Sequence, residues 1–88
     1  MTNIVALETE FGIGALFVNG DSILSWDDRD PDSLSAACAA EIIAGLTTAL
    51  DVCARIIPVD DHIDPEEYKN ATWPDWEGIY GDLEAEGA

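Results

Sequence analysis

Two acidic clusters hold the residues of this chain best suited to chemistry. Asp28-x-Asp30-x-Asp32 matches the first three ligand positions of a calcium-binding loop. The match then breaks. Ser33 stands where glycine makes the loop's sharp turn, and Ala39 stands where a bidentate glutamate closes the cage. The segment reads as a helix-capping loop. Asp60-Asp61-His62-x-Asp64 sets the single histidine among three carboxylates. Such a group has the chemistry to hold a metal ion or exchange a proton. With one histidine and no second ligand cluster, it reads as a solvated acidic loop, so no metal is expected. There is no Gly-x-Ser-x-Gly, no Cys-x-x-Cys and no phosphate loop. Phe11-Gly12-Ile13-Gly14 lacks the third glycine of a dinucleotide fingerprint. No catalytic or cofactor-binding residue is assigned, and the chain reads as non-enzymatic.

The elements that must position these residues read as an α+β domain spanning 1–88. Residues 1–26 form a β-meander of three strands, 3–8, 13–18 and 21–26. Asn19-Gly20 sits between the last two as a type I′ hairpin turn. That turn opposes Val18 to Asp21, Phe17 to Ser22, Ala15 to Leu24 and Ile13 to Trp26. One face then carries Ile13, Ala15, Phe17, Leu24 and Trp26, and this aromatic face is the expected core. The other face, with Leu16, Val18 and Ile23, is apolar enough that a second element or second chain is expected over it.

Asp30-Pro31 reads as N-cap and first residue of the main helix, 31–55. At 100° per residue, Leu34, Cys38, Ile42, Ile43, Leu46, Leu50 and Cys53 share one half of that helix. This half is expected to pack on the aromatic sheet face. Residues 56–59 are a candidate fourth strand, kept to an edge by Pro58. The expected fold is thus a small antiparallel sheet against one long helix, followed by short helical segments begun by Asp64 and Asp75. Cys38 and Cys53, fifteen residues apart, would lie about 22 Å apart on one helix, beyond the ~7 Å that a disulfide spans. They read as small buried thiols in a reducing compartment.

Charge carries the functional signal. Nineteen acidic side chains oppose three basic ones, for a formal net charge of −16 in 88 residues. With 48% hydrophobic residues the chain is not a disordered acidic tail. Acidic residues number three in 1–26, four in 27–33, two in 34–57 and ten in 58–88. The charge is therefore placed on one loop and the C-terminal third, and the main helix is nearly bare of it. Direct nucleic-acid binding is excluded, since a phosphate backbone needs Lys and Arg and only Arg29, Arg55 and Lys69 exist. The residues assigned to partner binding are Asp27, Asp28, Asp30, Asp32, Asp60, Asp61, Asp64, Glu66, Glu67, Asp75, Glu77, Asp82, Glu84 and Glu86. Trp76 and Tyr80 join them as candidate anchors. Trp73, Trp76, Tyr80 and Leu83 recur at helical spacing among those carboxylates, which suits either core packing or an aromatic hot spot.

In size, acidity, strand-rich N-terminal part and lack of catalytic motifs, the chain resembles the small phage-encoded anti-CRISPR proteins and other DNA mimics. Acidic immunity proteins that block toxin nucleases are similar in the same respects. The resemblance covers overall composition and no diagnostic motif, so no site residue is carried over from it. It implies an inhibitor in the cytoplasm of a bacterial or archaeal host. Its partner would be the basic surface of a nucleic-acid-binding nuclease or of a CRISPR effector or surveillance complex.

Two other readings compete. An adaptor would present the 73–83 segment to a partner. A halophile's domain would owe its acidity to solubility, although uneven charge and nine isoleucines fit that less well. No basic stretch precedes an apolar one at the N-terminus, and no apolar run reaches about 18 residues, so neither a leader nor a membrane span is expected. The apolar second sheet face leaves a homodimer open.

Overall fold

A computed structural model of the chain describes residues 2–64, 66 and 73–87. Four strands form one mixed sheet in the order β3-β2-β1-β4. They are β1 (Ile4–Glu8), β2 (Ile13–Val18), β3 (Asp21–Asp27) and β4 (Ala54–Pro58), with helices α1 (Ala36–Leu50) and α2 (Trp76–Gly87). The α+β class holds. The sheet is not purely antiparallel, because β4 returns to lie parallel to β1, Ile4 opposite Ala54 through Glu8 opposite Pro58. The candidate fourth strand is real and lies at an edge.

The Asn19-Gly20 turn forms as expected, with φ of 53° and 88°. Its tip is tied to β1: Asn3 N–H donates to Asn19 Oδ1 and Asn19 N–H to the Asn3 carbonyl, both at 2.8 Å. The register it sets survives for only two pairs, Val18–Asp21 and Phe17–Ser22. A bulge at Ile23 then shifts the strands, so Leu16 faces Leu24 and Gly14 faces Trp26. A one-residue slip moves every later side chain to the opposite face. Leu24 and Trp26 thus leave the face of Phe17 for that of Leu16. Gly14 permits this, since a Cβ there would run into the indole ring and the Leu7 carbonyl.

Each sheet face therefore has its own helix. Ile4, Ala6, Leu16 and Trp26, the last only 2% exposed, pack with Ala39 and the half-buried Ala36, Ile43 and Leu46 of α1. Val5, Leu7, Ile13, Ala15 and Phe17 pack with Val59 and with Trp76 and Ile79 of α2. The main helix lies on the opposite face from the one expected. The aromatic face belongs to α2, whose Tyr80 stacks on Phe17 at 4.3 Å between ring centroids. Fully burying a side chain such as Leu, Ile or Phe is worth about 1.5–3 kcal/mol. Each helix thus buries one face of the sheet.

The main helix is shorter than 31–55 at both ends. Asp30 and Pro31 belong to a turn in which Asp30 N–H donates to the Asp27 carbonyl and Ser33 N–H to the Asp30 carbonyl. Asp27 N–H bonds to the Leu34 carbonyl, which holds Leu34 against the strand end and out of the helix. Ser35 is the N-cap, its Oγ accepting from Cys38 N–H at 3.1 Å. Asp51 ends α1 in the left-handed region. Cys53 therefore lies beyond α1, and both thiols are exposed rather than buried. Asp75 starts α2 as expected, with Oδ1 accepting from Gly78 N–H at 3.2 Å. At Asp64, Oδ1 accepts from Glu66 N–H at 2.9 Å. The remainder of the helix expected there lies outside the described residues.

Candidate partner-binding surface: the acidic end of the sheet

Sheet register brings three separated acidic segments together. β1 ends at Glu8 opposite Gly14 and Pro58, and β3 ends at Asp27 opposite Ile13. The β1–β2 turn, the loop after β3 and the segment after β4 therefore emerge at the same end. Hydrogen bonds stitch them: Asp28 N–H to the Gly12 carbonyl at 3.1 Å, Val59 N–H to the Glu8 carbonyl at 3.0 Å, and Glu10 N–H to Asp60 Oδ1 at 3.0 Å. Thr9 closes the first turn, its Oγ1 accepting from Phe11 and Ile13 N–H.

Asp27 does not face a partner. It is 2% exposed and holds Arg29 by two parallel contacts, Nε to Oδ1 at 3.1 Å and Nη2 to Oδ2 at 3.0 Å. The Arg29 backbone N–H adds a third bond at 2.8 Å. The guanidinium hydrogen bonds hold the Asp27 carboxyl below its ordinary value, against the opposing effect of burial. Asp27 is therefore a structural ion pair rather than a surface charge.

The neighbouring carboxylates each use one oxygen locally. Asp28 Oδ1 accepts from Ala36 N–H at 2.7 Å, Asp30 Oδ1 from Asp32 N–H at 2.9 Å, and Asp60 Oδ1 from Glu10 N–H. An ionised carboxylate offers about four acceptor positions, so one local bond leaves most of them open. Capping and presenting negative charge are thus compatible. Among the described residues no group of three or more His, Cys, Asp or Glu side chains is arranged to hold a metal ion.

The other assigned residues divide. Asp61 joins this end through its backbone in the 3₁₀ turn Asp60–His62, and Asp64 and Glu66 follow. Asp75 and Glu77 start α2. Asp82, Glu84 and Glu86 occupy its later turns, where Glu84 pairs with Arg55 at 3.3 Å. Glu67 lies outside the described residues. Trp76 is 7% exposed within the core, and its Nε1 is a buried donor with no partner among the described residues. Tyr80 is half-buried against Phe17. Trp76 is thus a core side chain and Tyr80 is partly accessible, whereas Trp73 is 41% exposed. Sequence reasoning missed Glu8 and Glu10. Both are exposed at the acidic end, and the parallel return of β4 is what sets them beside Asp60.

Like charges about 10 Å apart in water repel by about 0.4 kcal/mol per pair. Of the arginines, Arg29 pairs with Asp27 and Arg55 with Glu84. Among the described residues no helix is long and apolar enough to cross a membrane. The chain matches no family model, no curated protein and no solved structure.

Proposed function

We propose that this chain is a non-enzymatic inhibitor that occupies the basic, nucleic-acid-binding surface of a host defence complex by acidic mimicry. It would act in the cytoplasm of a bacterial or archaeal cell. The observation that carries the reading is the convergence of Glu8, Glu10, Asp28, Asp30, Asp32, Asp60 and Asp64 on one end of the sheet. Duplex DNA presents one charge per ~1.7 Å of axis. A dense patch of carboxylates fixed by backbone hydrogen bonds offers a basic groove the same sign of field. Steering would make association fast and salt-sensitive. The adaptor reading loses support because Trp76 and Ile79 are core. The salt-adapted reading fits poorly with α1, which leaves Ile42 and Leu50 exposed and carries Glu41 as its one charge.

The test is competition between this protein and duplex DNA for purified nuclease or surveillance complexes at rising salt. Mutually exclusive binding that weakens steeply with salt is expected. The triple variant D28N/D30N/D60N removes three charges while keeping an acceptor oxygen at each cap. It should bind at least about tenfold more weakly, with each single change far milder. Simultaneous binding with DNA, or affinity indifferent to salt, would overturn the proposal.

A further inference from the structure

The face covered by α1 is covered only in part. α1 lies nearest β3. Between its other flank and β4 runs a groove of about 420 Å³, walled by Ala40, Ala44 and Ile43 on one side and by Cys53 and Ile56 on the other, with Glu8 at its end. Ala36, Ala40 and Ala44 keep much of the α1 wall low, beside Ile43 and Thr47. Ile56 is 57% exposed there.

The two sheet edges differ in how they are protected. β3 carries a bulge and an exposed acid, Asp21, at its start. Bulges and charges are what keep an edge from pairing further. β4 pairs with β1 over five residues without a register shift. Its groove-side residues, Ala54 and Ile56, are apolar, and only Pro58 at its end blocks extension. Arg55 points to the other face, where Glu84 holds it. Among the described residues no strand pairs with the outer edge of β4.

We infer that β4 and the groove beside it receive an extended segment of a partner protein, which adds to the sheet as a fifth strand. Main-chain hydrogen bonds to β4 would supply affinity, and alternate side chains would enter the groove. Those side chains are aliphatic, matching Ile43, Ile56 and the alanines. The segment's other side is basic, because the chain carries −16 and α2 brings Glu84 beside β4 on the face opposite the groove. The same charge disfavours a second copy of this chain in the groove. β4 spans about 16 Å, so about five residues of the segment are engaged. This inference does not depend on what the acidic end binds.

The probe is a labelled nine-residue peptide alternating valine and lysine, added to Cys38→Ser protein at about 150 mM salt, where exposed charges are largely screened. Bound peptide should slow alkylation of Cys53 at least about fivefold and protect the amides of residues 54–57 from hydrogen exchange. Ala44→Trp should fill the groove and weaken the peptide about tenfold or more, as a bulky ring displaces the inserted side chains. Protein already alkylated at Cys53 with a bulky reagent should lose binding in the same way, which keeps the test decisive if the tryptophan variant does not fold. A peptide with proline in place of each valine should not protect the β4 amides. Unchanged Cys53 alkylation in the presence of bound peptide, full affinity in both blocked proteins, or a dimer that buries Cys53 without peptide would each overturn the inference. D28N/D30N/D60N protein should keep the groove-dependent protection, so failure here is distinct from failure at the acidic end.

Discussion

Gly14→Ala should destabilise the protein, and Trp26→Leu in the same chain should cancel part of the damage. The two residues face each other across β2 and β3, and a Cβ on Gly14 would meet the indole and the Leu7 carbonyl. Overpacking of this kind costs about 1–3 kcal/mol. The intrinsic advantage of alanine over glycine in a strand returns only about 0.5–1 kcal/mol. Because one obstacle is backbone and cannot rotate away, a net loss of about 2 kcal/mol is expected. Trp26→Leu alone removes most of a buried ring and should cost about 2–4 kcal/mol. A chain of this length has roughly 4–13 kcal/mol in total, so both losses are measurable. In the double variant the new methyl finds the space the ring has left, while the Leu7 carbonyl remains. The double variant should therefore be more stable than the sum of the singles by about 1 kcal/mol. Urea unfolding followed by far-ultraviolet circular dichroism gives all four stabilities without depending on tryptophan emission. Additivity within about 0.5 kcal/mol would mean that the residues do not touch, and the bulge-shifted register would be refuted.

Asp27→Asn leaves Arg29 without its buried counter-charge and should cost about 3 kcal/mol in chemical unfolding at neutral pH. Because the folded carboxyl is held low, its stabilisation is full above the unfolded value near 3.9 and is lost as pH falls below it; the gap between wild type and Asp27→Asn should therefore narrow as pH falls below about 4. A chain ending at Asn70 lacks Trp76, Ile79 and Tyr80, uncovers the Phe17 face, and should show no cooperative thermal transition; a cooperative transition would contradict the role given to α2. Ser35→Ala removes the α1 N-cap and should lower stability by about 1 kcal/mol, whereas Asp30→Ala, at the position the sequence favours as N-cap, should cost less. Parallel thermal melts would decide between the two positions.

Local chemistry was legible and long-range pairing was not. Asn19-Gly20 names its own turn, Pro58 keeps its strand to an edge, and Asp75 starts its helix, because each acts through its own backbone. The bulge is a different matter. Nothing in Ser22-Ile23-Leu24 marks it locally, and extending the turn's register past it put Trp26 on the wrong face. The missed signal was size: only Gly14 on β2 is small enough to lie under an indole. Asp30-Pro31 looked like a helix start because Asp before Pro fits the cap pattern, and the Asp27–Leu34 hydrogen bond that moves the start to Ser35 lies outside that local pattern. The acidic end was half visible. Its loops could be counted, but their meeting depends on β4 pairing with β1 across about 50 residues, a distance no local pattern spans.

That pairing also sets an order of assembly. Synthesis runs at about 5–20 residues per second, so some 3–10 s separate β1 from β4 on the ribosome. Hairpins close in about 1–10 μs, so the three-strand meander can exist long before its fourth member. During that interval Ile4, Val5, Ala6 and Leu7 present an open edge, and neither sheet face has its full cover. The strand that ends at the centre of the finished sheet is thus the nascent chain's most exposed template for unwanted pairing. Slowing translation between residues 28 and 54 should raise the aggregated fraction in cells without changing the stability of the protein that folds.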